Sequence, residues 1–186
     1  MGKNVLIFIG CLLLTTSLTQ AELTEIPTHE LKGWISVNSV EVSGTPEEVY
    51  DAFVGDVTPW WDHSFSDKPH AMFIQPWPGG GFIELFDETG DGVLHARVLV
   101  AHRGKTLRLD GPLGLLGRAL DFVTTLTFEA RGDSTLLTAT AHILGEVDDS
   151  LAPIVDDVWR HFIEERFKPW YEAGAKGKGD MPERLK

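Results

Sequence analysis

Between residues 34 and 144, apolar and polar positions alternate in short runs broken by Gly, Pro, Asp and Lys. Alternation with a period of two marks strands that bury one face. "WISVNSVEV" (34–42) is the first such run, loosely alternating and rich in β-branched residues. "AMFIQP" (71–76), "PGGGFIELFD" (78–87), "GVLHARVLVAH" (92–102) and "TLRLDG" (106–111) follow it. "ALDFVTTLTFEA" (119–130) and "TLLTATAHIL" (135–144) complete the set, with "RGDS" as the turn between them. The residues at the breaks are those that hairpin turns require.

Two stretches carry a different pattern. "SGTPEEVYDAFV" (43–54) predicts a short helix: Thr45 suits the N-cap, Pro46 the first turn, and Glu47 and Glu48 the positive helix end. Val49, Ala52 and Phe53 make its apolar face, and Gly55 and Pro59 stop it. From Asp149 or Ser150 to Trp170, apolar residues recur at Ile154/Val155, Val158/Trp159, Phe162, Phe167 and Trp170. That is a helical period held over about five turns, with Pro153 in the tolerated first turn and Pro169 near the end. The order predicts an α+β domain over 32–172, a curved antiparallel β-sheet wrapped around a long C-terminal α-helix, with a short helical region after the first strand. One helix cannot fill the whole concave face of such a sheet, so a cavity between them is expected.

The ends of the chain read differently. "MGKNVLIFIGCLLLTTSLTQA" has Lys3, an apolar run from Val5 to Leu14, and polar and small residues up to Ala21. This is the layout of a secretory signal peptide (1–21) cleaved after Ala21, which predicts a secreted or periplasmic protein with no stable membrane span after cleavage. Residues 22–31 form an N-terminal lead, and the Gly- and charge-rich residues 173–186 a flexible tail. Cys11, the single cysteine, lies inside the apolar run, so the mature chain has no disulfide, thiolate or cysteine–metal chemistry. The formal charge of −12 argues against nucleic acid and against steady binding to an anionic membrane.

"VSGTPEEVYDAF", "WWDH", "PGGGFIE", "GVLHARV", "KTLRLDGPLGLLG" and "VDDVWRHF" stand in an order and spacing that resembles the helix-grip, START-like superfamily (SRPBCC), which includes pollen-allergen-like and polyketide cyclase-like proteins. The resemblance covers roughly residues 34–171 and is greatest to the bacterial branch related to the heat-shock ATPase activator. It implies the same fold and a ligand cavity. It does not imply one activity, because the superfamily holds lipid carriers, ligand receptors and cyclases.

The candidate chemistry lies in three places. If Asp87 pairs with Gly92 across the first hairpin, Glu84 lies opposite His95 and Phe82 opposite Arg97. Glu84, His95 and Arg97 then share one face of the sheet, while Ile83, Leu85, Leu94 and Ala96 share the other. Patterning alone puts the polar face in solvent. The resemblance puts Glu84 and His95 inside the cavity, as a polar anchor or an acid–base pair. Arg108 and Asp110 read as an ion pair on the outer face or, alternatively, as a head-group contact. "GPLGLLGRAL" (111–120) reads as a lip over the cavity mouth, a contact surface, or a bulged strand in the core.

"PWWDHSFS" (59–66) places Trp60 and Trp61 side by side, so the two rings cannot point the same way. One is expected to face the cavity and the other to pack into the shell, with His63 at the rim or in an exposed loop. Trp60, Trp61, Phe82, Phe122 and Trp159 are the expected apolar wall, and Glu84, His95, Arg97 and Arg108 the expected polar anchors. None of the seven histidines stands in HExxH or another two-histidine metal spacing, and Asp62-His63 alone supplies too few ligands. The expectation is a binder of a small apolar or amphipathic molecule, without metal or cofactor. The alternatives are a cyclase- or dehydratase-type enzyme using His95 and Glu84, and a ligand-free interaction module.

Overall fold

The computed structural model describes residues 31–174, so the signal-peptide segment, residues 22–30 of the lead and residues 175–186 of the tail lie outside it. The alternating runs become strands β1 (Lys32–Ser43), β2 (Gly55–Asp56), β3 (Ala71–Ile74), β4 (Gly81–Leu85), β5 (Gly92–His102), β6 (Thr106–Asp110), β7 (Leu120–Arg131) and β8 (Ser134–Gly145). They form one eight-stranded sheet in the order β1-β8-β7-β6-β5-β4-β3-β2. Every neighbouring pair is antiparallel. β2 has no counterpart in the sequence pattern, because two residues against Phe73 and Ile74 are too few to show a period.

The core lies on the concave face. Phe122, Leu126 and Phe128 of β7 point into it, as do Leu137, Ala139, Ala141 and Ile143 of β8 and Leu107 and Leu109 of β6. Helix α1 (Pro46–Phe53) closes one end. Thr45 caps it reciprocally with Glu48: the Glu48 N–H donates to Thr45 Oγ1 at 3.3 Å, and the Thr45 N–H donates to Glu48 Oε2 at 2.9 Å. A cap of this kind stabilises a helix by about 1 kcal/mol. α1 buries Tyr50 as well as the expected Val49, Ala52 and Phe53.

The C-terminal helix is not uniformly wound. α2 (Leu151–Arg160) passes into a π-helical stretch (His161–Phe167) and ends as α3 (Lys168–Glu172). The change of pitch has a packing reason. Phe162 and Phe167 are five residues apart, and both are buried along with Ile163. A 3.6-residue turn would rotate one of them away from the sheet, whereas i→i+5 winding keeps both on it. The expected stripe shifts accordingly, with Ile154 half in solvent and Trp170 only partly buried, while Ile163 and Tyr171 join the core. At the start of α2, Ser150 makes no side-chain cap, and Asp148 holds the turn instead by accepting from the Ser150 N–H.

Two irregularities in β5 decide which side chains face inward. Leu85 pairs with Gly92, Glu84 with Val93 and Ile83 with Leu94, but Phe82 pairs with Ala96, leaving His95 as the extra residue of a bulge. A second register shift falls between Val98 and Val100. Glu84 is therefore not opposite His95, and Phe82 is not opposite Arg97, which faces Gly81.

Candidate functional site

Between the sheet, the C-terminal helix and the loops lies a cavity of about 720 Å³. Phe122 of β7, Val155, Val158, Trp159 and Phe162 of the helix, and Trp61 of the loop before β3 supply its apolar wall. Leu113 and Leu115 cover it from a 3-10 turn (Leu113–Leu115), so "GPLGLLGRAL" is a lip and not a core strand. Leu113 holds a left-handed φ of 51°, uncommon for a residue with a side chain, and that bend turns its side chain into the protein.

The bulge at His95 sets the polar floor. It puts His95 and Ala96 consecutively on the inner face, so the alternation that keeps Glu84 inside reverses beyond it. Glu84 is fully buried and His95 nearly so, which overturns the solvent-face reading of this pair. Arg97, on the far side of the bulge, is exposed and not part of the site. Ile83, Leu85 and Leu94 keep to the face opposite Glu84, but Ala96 goes inward beyond the bulge and joins the core, so the expected split into one polar and one apolar face fails there.

Glu84 does more than meet His95. Its Oε2 lies 2.9 Å from His95 Nε2 and accepts from the Phe65 N–H at 2.9 Å, and its Oε1 accepts from the Ser66 N–H at 2.7 Å. One buried carboxylate therefore pins the 63–66 loop, which forms part of the cavity wall, to the sheet. Burial pushes the His95 imidazole below its ordinary pKa, and the Glu84 bond and a backbone bond at Leu113 offset part of that push. His95 faces the cavity among these partners, and the Phe82 and Phe65 rings lie 5.0 and 5.7 Å from its own.

The two tryptophans separate as their adjacency requires. Trp61 stacks on Phe162 at 3.7 Å and lines the cavity, and its Nε1–H donates to the His63 carbonyl at 2.8 Å. Trp60 is wholly buried against Phe53 and Phe167 and does not reach the cavity. Phe82 is likewise buried behind Trp61, at 4.8 Å edge to face, and supports the wall without forming it. Arg108 is exposed, and its Nε donates to Thr125 Oγ1 at 2.9 Å, so it makes neither the expected pair with Asp110 nor a head-group contact. Of the expected ligand residues, Trp61, His95, Phe122 and Trp159 line the cavity. Trp60, Phe82 and Glu84 lie behind it, and Arg97 and Arg108 lie outside.

Sequence spacing missed the rim. His161, on the π-helical stretch, places Nε2 3.1 Å from Asp62 Oδ1 and 3.0 Å from Oδ2. His63 Nδ1 lies 3.0 Å from the same Oδ1, and Arg166 Nε 3.1 Å from Oδ2. Burial pushes the Asp62 carboxyl up, but its bonds with His63 and His161 and the nearby charges carry it below its ordinary value. Hydrogen bonding to Glu165 and then to Asp62 raises His161. Ninety-nine residues separate Asp62 from His161, so no local motif announces the cluster.

No family model and no curated protein matches the chain. Solved structures do. A protein of Mesorhizobium loti superposes with a TM-score of 0.56 at 18% identity, covering 76% of this chain and 98% of its own. A Staphylococcus aureus protein described as of unknown function gives 0.53 at 13% identity, covering 76% and 94%. CalU16 of Micromonospora echinospora gives 0.51 at 12% identity, covering 84% and 89%. At such identities the likeness speaks for architecture and not for activity. Together with the curled eight-stranded sheet and its C-terminal helix, it shows that the chain has the helix-grip α+β fold.

Proposed function

We propose that the protein binds a small apolar or amphipathic molecule in the cavity between the sheet and the C-terminal helix, and that it does so outside the cytoplasm after loss of its first 21 residues. The observation that carries the reading is the cavity itself. Its volume of about 720 Å³ lies within the range of small-molecule sites, and Trp61, Phe122, Val155, Trp159 and Phe162 give it aromatic and aliphatic walls. His95, Ser64, Ser66 and the rim residues Asp62 and His63 offer a few polar atoms for orientation.

The geometry favours binding over acid–base catalysis. Glu84 shares its two oxygens among three partners, two of them loop N–H donors, so its first task is to hold a loop. A general base must reach its proton directly or through one water, and Glu84 reaches the cavity only through His95. Titration with N-phenyl-1-naphthylamine in the presence of a chelator, followed by native mass spectrometry of protein from its own host, tests the reading. Saturable uptake with quenching of Trp61 fluorescence, and a co-purifying small molecule, are expected. An apo mass together with no uptake of fatty acid, terpenoid or dye would sink it.

A further inference from the structure

The rim cluster of Asp62, His63 and His161 gathers three donor atoms from two distant parts of the chain, all within 4.8 Å of one another. We propose that it is a binding site for a divalent late first-row cation such as Zn²⁺, held by Asp62 Oδ1, His63 Nδ1 and His161 Nε2, with its remaining positions open toward the cavity. The proposal stands on this geometry and does not need the apolar-ligand reading.

The donor chemistry fits. Two imidazoles and one carboxylate are a sufficient protein set for such an ion when one or more positions are left to water or ligand. Metal bonds of about 2.0–2.1 Å put neighbouring tetrahedral donors roughly 3.3 Å apart. Asp62 Oδ1 is already 3.0 Å from His63 Nδ1 and 3.1 Å from His161 Nε2, and no two of the three donors are more than 4.8 Å apart, so modest side-chain shifts bring them to that spacing. The two imidazole rings stand 5.7 Å apart and tilted, converging on the carboxylate without stacking.

The surrounding groups orient each donor. Glu165 Oε2 sits 2.9 Å from His161 Nδ1, which turns Nε2 toward Asp62 and raises the basicity of the ring. Arg160 steadies Glu165 in turn, with Nη1 3.3 Å from Oε1. Arg166 occupies Asp62 Oδ2 at 3.1 Å, so Oδ1, the oxygen that both histidines approach, is the one that would take the ion. A guanidinium here lowers affinity for a cation but fixes the carboxylate, which is the part an outer partner plays around a bound metal. Asp62 and His63 both line the cavity, so the open positions face whatever enters it. The π-helical winding matters here too, because it sets the direction of His161 from the helix.

The competing account is an ion-pair network that holds the loop to the helix and binds no metal. Tag-free, chelator-stripped full chain titrated with Co²⁺ separates the two, read by visible d–d absorption and by competition with Zn²⁺. The proposal expects one equivalent bound and a cobalt spectrum of low coordination number. His161→Ala and Asp62→Asn should each weaken binding at least 10-fold. Glu165→Gln, at an exposed residue, takes the charge from the partner that His161 shares with Arg160 and should weaken it by about 10-fold or more. His142→Ala, on the outer sheet face, should leave it unchanged. If the wild type binds no more tightly than His161→Ala, or if Glu165→Gln has no effect, the cluster is an ion-pair network and the proposal falls. The dye titration is run in chelator, so this outcome leaves the cavity reading untouched.

Discussion

At the residue scale, the most consequential side chain is Glu84. A buried carboxylate with three hydrogen-bond partners is well satisfied, and replacing it leaves at least one of its N–H donors orphaned. Glu84→Gln turns one acceptor into an NH₂ group facing a donor. It is expected to cost about 1–3 kcal/mol in a urea melt and to speed amide exchange at Phe65 and Ser66. A role confined to His95 would leave those two amides protected. His95 adds a pH signature. Its folded pKa lies below the unfolded value of 6.5, so the unfolded chain takes up this proton first. The contribution is fully present above about pH 6.5, is lost as pH falls from there toward the folded pKa, and then levels off. His161 has the opposite sign: its raised pKa stabilises below 6.5, and that gain is lost as pH rises through the folded pKa. The difference in melting temperature between wild type and His95→Gln, taken from pH 7.5 to 5, cancels the His161 slope. The advantage of the wild type is expected to shrink toward acid pH, and a constant difference would mean that His95 titrates normally.

At the scale of elements, the bulge in β5 is the decisive feature. It sets two successive side chains inward and sends Arg97 out, and it stands against the end of β6, where the lip begins. Gly111 marks that junction. A Cβ there would lie 2.5 Å from Ala96 Cα and 2.6 Å from the His95 carbonyl oxygen, both backbone atoms that cannot swing aside. Gly111→Ala is expected to destabilise by about 1–3 kcal/mol, read as a lower urea midpoint. Because the strain falls on the bulge, the amide and ring resonances of His95 should move with it. An unchanged midpoint would show that β5 and the lip are less tightly coupled than the distances imply. The π-helical stretch plays the matching part on the opposite wall, keeping Phe162 against Trp61 and Phe167 against Trp60.

At the scale of the whole molecule, sheet, lip and helix enclose a space that none of them defines alone. Val158 is half buried and lines that space from the helix, so a larger side chain there grows into the cavity and not into the core. Val158→Trp is expected to keep the melting temperature within a few degrees while weakening N-phenyl-1-naphthylamine binding at least 10-fold. Retained affinity would place the dye elsewhere on the protein.

Period and punctuation alone were enough to determine the α+β class, seven of the eight strands, the Thr45 cap of α1 and the long final helix, because each is a local consequence of residue order. The resemblance, not the pattern, pointed Glu84 and His95 inward. Simple alternation placed them in solvent because it assumes an unbroken register, and a single extra residue in β5 reverses the face of everything after it. The same assumption put Arg97 among the ligand residues. The π-helical pitch was latent in the five-residue step from Phe162 to Phe167, but a step of that size only acquires meaning once both rings must meet the same sheet. The meeting of Asp62 and His63 with His161, like the division of labour between Trp60 and Trp61, was decided by tertiary structure alone, since both depend on how a loop and a helix far apart in the chain pack across the same concave sheet.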